Sequence, residues 1–306
     1  MSVGGEVDTH VEVFDQHRPL MFALAYRMLG SAMDADDVVQ EAFLRWHQVP
    51  SAHVESAKAY LLTIVTRLCI DERRSARARR ETYIGPWLPE PLVVSTADPG
   101  AVLDDADSVS FAFLLLLERL TPLERAVLIL HDVFDYTYRE IGGMLDADPA
   151  YCRQLGHRAR QHVALDRTRF PAAPEQATQA AQRFLRASSD GDMQSLLDLF
   201  VADITLYSDG GGKVLAARNP IYGAERVVRF FVNVRRKTQD YAARTHRMAL
   251  VNGRSGLIVE VAGQVNRVYS FDVDHDGRIR TIYCVLNPDK LHRCAPGESE
   301  HPDRGV

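Results

Sequence analysis

The sequence predicts a multidomain chain, two all-α domains followed by an α+β domain. Three observations predict it. Residues 10–167 repeat apolar side chains at helical spacing, whereas residues 203–287 hold short apolar runs broken by turn residues. Between them stands Phe170-Pro171-Ala172-Ala173-Pro174, a Pro/Ala hinge. Residues 84–100, IGPWLPEPLVVSTADPG, hold four prolines and two glycines and cannot form one helix, so the helical part is itself divided. The expected boundaries are 10–82 and 108–168 for the helical domains, 83–107 for a linker, 174–291 for the α+β domain and 292–306 for a disordered tail.

Length and composition agree with this division. A chain of 306 residues suggests about two or three domains. Hydrophobic residues at 46% and charged residues at 25% are ordinary globular values. The net charge of −5 excludes a uniformly basic DNA-coating protein. Residues 67–80 and 153–169 are nevertheless Arg-rich, and 98–107 is acidic, which suits contact with DNA at chosen places. Acids stand where a signal peptide needs bases, and the longest apolar run, Phe111–Leu117, is too short to span a membrane. A cytoplasmic protein with no membrane partner is expected. Cys69, Cys152, Cys284 and Cys294 form no C-x-x-C pair and have no histidine at ligand spacing; reduced structural thiols, and neither metal nor cofactor, are expected.

In the first helical domain, Ser31-Ala32-Met33-Asp34 is a capping arrangement that opens a helix. Val38, Val39, Ala42, Phe43 and Trp46 form its apolar stripe. Asp37, Gln40 and Glu41, at i, i+3 and i+4, share the opposite face. Spacing alone fits either a solvated face or a partner's docking surface. The next helix, from Lys58, buries Leu61, Ile64, Val65, Leu68 and Cys69 and ends in Arg67, Arg73, Arg74, Arg77, Arg79 and Arg80. Arginines favour a helix C-terminus, but this row exceeds what capping needs and suits phosphate contact.

In the second helical domain, Thr121-Pro122-Leu123-Glu124 is a full helix start: a Thr cap, Pro at the first position and Glu reaching back. Glu140, Ile141, Met144 and Leu145 fit a short helix, Asp146-Ala147 a turn, and Asp148-Pro149 the start of a third helix through Val163. A short helix, a tight turn and an Arg-rich second helix describe a helix-turn-helix, with a generic helical hairpin as the alternative. Tyr151, Arg153, Gln154, His157 and Arg158 are its candidate reading residues, since Arg pairs with guanine and Gln with adenine in the major groove.

Together these segments resemble the extracytoplasmic-function sigma factors over residues 10–166. DADDVVQEAFLRW at 34–46 is similar to part of the family's region 2, which implies that Asp36, Asp37, Gln40 and Glu41 bind the clamp helices of core RNA polymerase. The stretch Tyr60-Leu61, Ile64, Ile70-Asp71, Arg73-Arg74 resembles the segment that reads the −10 element, which implies promoter-DNA roles for Tyr60, Arg67, Asp71, Arg73, Arg74 and Arg77. Arg67 or its neighbour stands where the family usually has Asn. Leu123–Leu130 and Tyr138–Leu145 are similar to region 4, which implies contact with the polymerase flap and places Tyr151, Arg153, Gln154, His157 and Arg158 at the −35 element.

Two further features resemble the SigJ-like subgroup with a fused SnoaL-like domain. One is the linker Trp87-Leu88-Pro89-Glu90-Pro91. The other is the set Gly191-Asp192, Asp203–Leu206, Asp209–Lys213, Pro220, Gly223 and Asn287–Leu291. The resemblance implies that the extension regulates the chain in place of a separate anti-sigma protein. It is expected to dock on region 2 and the linker, with Trp87 a buried anchor and Pro89, Asp209, Lys213, Asn287 and Asp289 at or near the contact.

The residues of this last part predict helices Glu175–Ser188, Met193–Phe200 and Ala224–Val234. They predict strands at 203–208, 213–218, 243–251, 255–262, 264–272 and 278–286, with turns at Asn252-Gly253 and Asp276-Gly277. Helices over one face of a curved sheet make a cone, whose cavity suits an unidentified small-molecule ligand; Tyr207, His246, Tyr269 and Tyr283 are its candidate polar groups. No acid–base pair is evident, and Gly210–Lys213 lacks the spacing of a phosphate-binding loop, so no enzyme is expected. The expected function is a promoter-recognition subunit with a regulatory tail. The alternatives are a ligand-responsive regulator acting without polymerase and a SnoaL-like enzyme fused to a DNA-binding module.

Overall fold

Helix boundaries follow the caps. A computed structural model describes residues 3–49, 54, 56–94, 109–164, 172–237 and 244–294. Helix α1 (Val3–Leu29) ends at Gly30, whose φ of 70° is the left-handed conformation of a helix stop. Ser31 then caps α2 (Ala32–His47) by accepting the Asp34 N–H at 3.1 Å. Helix α3 (Ala57–Glu81) packs on α1 and α2. The short α4 (Phe111–Leu117) precedes α5 (Pro122–Asp132), whose start is a complete capping box between Thr121 and Glu124. A second box, Thr137 with Glu140, opens α6 (Tyr138–Leu145), and Asp148 Oδ1 accepts the Ala150 N–H at the start of α7 (Pro149–Ala164).

The α6–α7 corner is a helix-turn-helix, and two glycines set it. A Cβ on Gly142 would come 2.6 Å from the Ala147 carbonyl oxygen, and one on Gly156 would come 2.8 Å from the Tyr138 hydroxyl. Asp146, at φ 53°, turns the chain between the helices.

The chain divides into two compact units. The first combines residues 1–82 with 113–167; the second combines 83–112 with 168–306. The linker therefore belongs with the C-terminal part. In the first unit, α1 and α3 both touch α5, and α3 also touches α6, so the two helical segments share one core. At its centre the Arg125 guanidinium, 0% exposed, donates to Glu118 Oε1 at 2.5 Å and to the Arg27 carbonyl at 2.9 Å. Burial, and then the neighbouring Arg73, hold the Arg125 pKa well below its ordinary value.

The second unit is a seven-stranded sheet in the order β1-β4-β5-β6-β7-β2-β3. Its strands are β1 (Val93–Val94), β2 (Phe200–Asp209), β3 (Ile221–Tyr222), β4 (Arg244–Val251), β5 (Arg254–Val261), β6 (Gln264–Val273) and β7 (Ile279–Val285). All neighbours are antiparallel except β2 and β7. Helices α8 (Pro174–Asp190), α9 (Met193–Leu199) and α10 (Ala224–Lys237) cover one face. Phe184 lies in that layer, with ring centroids of Phe231, Tyr269 and Phe271 at 5.2, 5.6 and 5.1 Å.

Two expectations are corrected. Residues 213–218 form no strand: Gly211 and Gly212, at φ 59° and 72°, turn the chain, and the strand beyond is the two-residue β3. The linker is not merely a connector, because Val93 and Val94 pair with Val251 and Leu250 as an edge strand. The acidic stretch 98–107, Phe170-Pro171 of the hinge and the tail beyond 294 lie outside the described residues.

Candidate nucleic-acid interface and linker clasp

On α2 the expected apolar stripe is inward. Val38, Val39, Ala42 and Trp46 are buried, while Phe43 is half-buried. Asp37 and Gln40 are exposed; Asp36 and Glu41 are half-buried, and Glu41 accepts from Arg45 Nε at 2.9 Å. Sequence reasoning missed Met33 and Leu44, each 57% exposed. With Asp37 and Gln40 they stand at i, i+4, i+7 and i+11, one helical stripe with acid and amide between two exposed apolar residues. Apolar side chains beside an acid and an amide suit a partner's docking surface.

The α3 candidates separate. Tyr60 is half-buried beside Trp46, ring centroids 6.0 Å apart. Arg67 Nε donates to the Met144 carbonyl at the end of α6, 2.9 Å away. Asp71 and Arg74 are exposed and pair at 3.4 Å. Arg73 departs from the expected basic row: it is 8% exposed and donates to Glu118 at 3.1 Å and to the Met28 carbonyl at 3.3 Å. It points into the core because Glu118 supplies there the only kind of partner that compensates a buried guanidinium. The Arg77 side chain lies outside the described residues.

On α7 the candidate reading residues lie together at the surface. Tyr151, Arg153, Gln154, His157 and Arg158 are exposed, while Cys152, Leu155, Ala159 and Val163 are buried behind them. The Arg153 guanidinium stands over the Tyr138 ring at 5.8 Å, and His157 Nε2 contacts Gln161 at 3.1 Å. Arg160 is engaged structurally: it pairs with Asp132 and donates to the Tyr138 hydroxyl.

In the second unit the structure gathers the linker and the C-terminal candidates around Asp209. This carboxylate is 0% exposed and accepts from the Tyr83 hydroxyl at 2.5 Å, the Leu88 N–H at 2.9 Å, the Gly211 N–H at 3.0 Å and Lys290 Nζ at 2.7 Å. Lys290 Nζ also donates to the Leu88 carbonyl at 2.5 Å and lies 5.0 and 4.5 Å from the Tyr83 and Trp87 ring centroids. Asn287 Nδ2 donates to the Tyr83 hydroxyl at 3.0 Å, and its Oδ1 accepts the Asp289 N–H. Lys213 and Asp289 form an exposed pair at the rim, 2.5 Å apart. Burial, then the bond to Asp209, pushes the Tyr83 hydroxyl far above its usual range, so it stays a neutral donor.

Trp87 is half-buried, not the buried anchor expected; Leu88, at 0% exposed, takes that place, with Pro89, Glu90 and Pro91 buried behind it. An indole beside an ammonium gains by staying at the edge, where the cation keeps some water. Lys290 falls in the stretch Asn287–Leu291 that the resemblance singles out, whereas Tyr83 and Asn252 were missed. Asn252 holds both the linker and the segment that follows it: its Oδ1 accepts the Leu92 N–H at 2.9 Å and its Nδ2 donates to the Val109 carbonyl at 2.8 Å. Its sequence signal, Asn-Gly, was read only as a hairpin turn, which it also is, at φ 52° and 71°.

The four candidate pocket groups do not converge. Tyr269 pairs across the sheet with Leu257, and His246 with Val259, both on the helix-covered face. Tyr207 and Tyr283 pair on the opposite face, stacked 5.8 Å apart, with Phe111 stacked on Tyr283 at 5.4 Å. Strand alternation separates the two pairs. The Tyr283 hydroxyl donates to Asp272 Oδ2 at 2.6 Å, and burial raises both groups' pKa values. Burial, then Arg244 and Arg267, lowers that of His246, opposite to what a carboxylate partner would do. Among the described residues no group of His, Cys, Asp or Glu could hold a metal ion, and no helix is long and apolar enough to cross a membrane.

Two segments of the chain match known families. The Sigma-70 region 2 family matches residues 13–79, and the Sigma-70, region 4 family matches residues 110–163. The chain is 34% identical to the ECF RNA polymerase sigma factor SigJ of Mycobacterium tuberculosis, over 92% of this chain and 93% of that protein. It is 34% identical to the probable ECF RNA polymerase sigma factor SigI of the same organism, over 69% of this chain and 72% of the other. The crystal structure of the M. tuberculosis SigJ protein is similar at a TM-score of 0.73 and 32% identity, covering 94% of this chain and 99% of that one.

Proposed function

The chain belongs to the extracytoplasmic-function sigma factors, and from that premise we propose that it meets core polymerase through α2, its activity being modulated by the α+β domain that clasps the linker. As a sigma factor it binds core RNA polymerase and directs promoter-specific initiation; sigma factors are initiation factors rather than enzymes. In this reading α2 meets the polymerase clamp, α3 the −10 element and α7 the −35 element, all in the cytoplasm. The α+β domain is a regulatory rather than catalytic part, its polar groups being divided between two faces of the sheet.

The observation that carries the reading is the α2 stripe, where Met33 and Leu44 are exposed on either side of Asp37 and Gln40. An apolar contact framed by charge is what a partner protein buries, and charge complementarity then fixes its register. A second observation bears on regulation. Arg67 is bonded to the Met144 carbonyl, so contact of this side chain with DNA means breaking that bond to α6.

The test is affinity for purified core polymerase. Asp37→Arg with Glu41→Arg is expected to abolish binding, and Met33→Ala with Leu44→Ala to weaken it, both without loss of helical signal or of the thermal transition. Wild-type affinity in both variants would remove α2 from the interface.

A further inference from the structure

The acidic balance of the chain hides a basic C-terminal domain. Residues 172–294 hold 17 Lys and Arg against 13 Asp and Glu, whereas the whole chain has 36 against 41. The excess is concentrated on α10, AERVVRFFVNVRRK, with five basic side chains and one acid. Val227 and Val228 are buried, and Phe230, Phe231 and Val232 pack against the core.

The opposite side of α10 is a stripe of arginine. Arg226, Arg229, Asn233 and Arg236 recur at i, i+3, i+7 and i+10, with Lys237 beside them, and all five are exposed. Arg235 is not part of it; its guanidinium lies against Gly191. Among the described residues Arg226, Arg229, Arg236 and Lys237 have no hydrogen-bond or ion-pair partner. Side chains held only for helix stability would be expected to pair with acids one turn away, and Glu225 is the one acid on the helix.

On the premise that the chain is a sigma factor, we propose that α10 is a further DNA-contacting surface, which binds the phosphate backbone of duplex promoter DNA. Arginine presents a planar fork that matches phosphate oxygens. At a rise of about 1.5 Å per residue the stripe from Arg226 to Arg236 is about 15 Å long. That is the axial reach of about four phosphates of one strand at about 3.4 Å each. Unlike the α2 stripe, this one contains no apolar side chain, so it lacks the desolvated centre of a protein–protein interface. Its contact is sequence-independent and adds to whatever α3 and α7 read.

The test uses full-length chain assembled with core polymerase on a duplex promoter fragment selected by the wild-type holoenzyme. Each phosphate neutralised contributes about 0.9 to the slope of log affinity against log salt. Arg226→Gln, Arg229→Gln and Arg236→Gln together are expected to make that slope shallower by about two to three, with affinity for core polymerase in the absence of DNA unchanged. Should the triple variant melt early, Arg229→Gln alone is expected to lower the slope by about one. An unchanged slope in a folded variant overturns the proposal. Weakened binding to core polymerase without DNA also overturns it and assigns the stripe to a protein partner. If the wild-type chain forms no promoter complex with polymerase, the sigma-factor reading fails. The same slopes, measured for the free chain on duplex DNA, then decide α10 separately.

Discussion

Arg125 and Glu118 form an ion pair in which one half-buried carboxylate serves two buried guanidiniums. Glu118 Oε1 accepts from Arg125 at 2.5 Å and from Arg73 at 3.1 Å, and the two arginines are 0% and 8% exposed. Removing the acid leaves two buried cations facing each other; removing Arg125 leaves one matched pair. Breaking a buried pair costs about 3–5 kcal/mol, whereas replacing a charge by an apolar side chain of similar volume costs far less. Glu118→Ala should therefore destabilise the chain by several kcal/mol and Arg125→Met by clearly less, in denaturant unfolding at neutral pH. The reverse order would mean that Arg125, not Glu118, neutralises the cluster.

The recognition helix makes a separable claim. Arg153→Ala and Arg158→Ala should each weaken −35 binding. A base-reading arginine should cost about 1–3 kcal/mol and relax specificity at one position. A phosphate-bound one should weaken all sequences alike and lower the salt slope by about one. Footprints and slopes equal to wild type for both variants would show that α7 is not the reading helix.

The clasp distinguishes buried from rim contacts. Asp209→Ala removes the common acceptor of Tyr83, Leu88 and Lys290, and should speed amide exchange over residues 83–94 by orders of magnitude. Lys213→Ala breaks only the exposed pair with Asp289, a class of interaction worth about 0–1 kcal/mol, and should leave that exchange near wild type. Equal effects from the two substitutions would deny Asp209 its central place.

Local chemistry was legible in the sequence. Ser31, Thr121 and Asp148 mark helix starts because a cap is a contact within four residues, and the apolar stripe of α2 follows from helical spacing. Contacts between distant segments were not. Nothing near Arg73 distinguishes it from Arg74, yet one is buried against Glu118, 45 residues away, and the other is exposed. Strand β1 is too short for alternation to show, and its pairing depends on β4, more than 150 residues on. Residues 213–218 read as a strand because Val214 and Leu215 are apolar; both are exposed, Leu215 at 92%, so no core rewards extension there. Asp209, Asn287, Lys290 and Trp87 could be singled out through family resemblance, while Tyr83 left no local pattern.

Run-off transcription tests the sigma-factor assignment most directly. Purified core polymerase, supplemented with the full chain, is presented with a library of promoter-length duplexes. The expected result is a defined set of transcripts that requires the chain and disappears with Asp37→Arg and Glu41→Arg. Sequence-specific DNA binding by the chain, without polymerase association and without any chain-dependent transcript, would contradict the assignment and identify a regulator that acts on DNA alone.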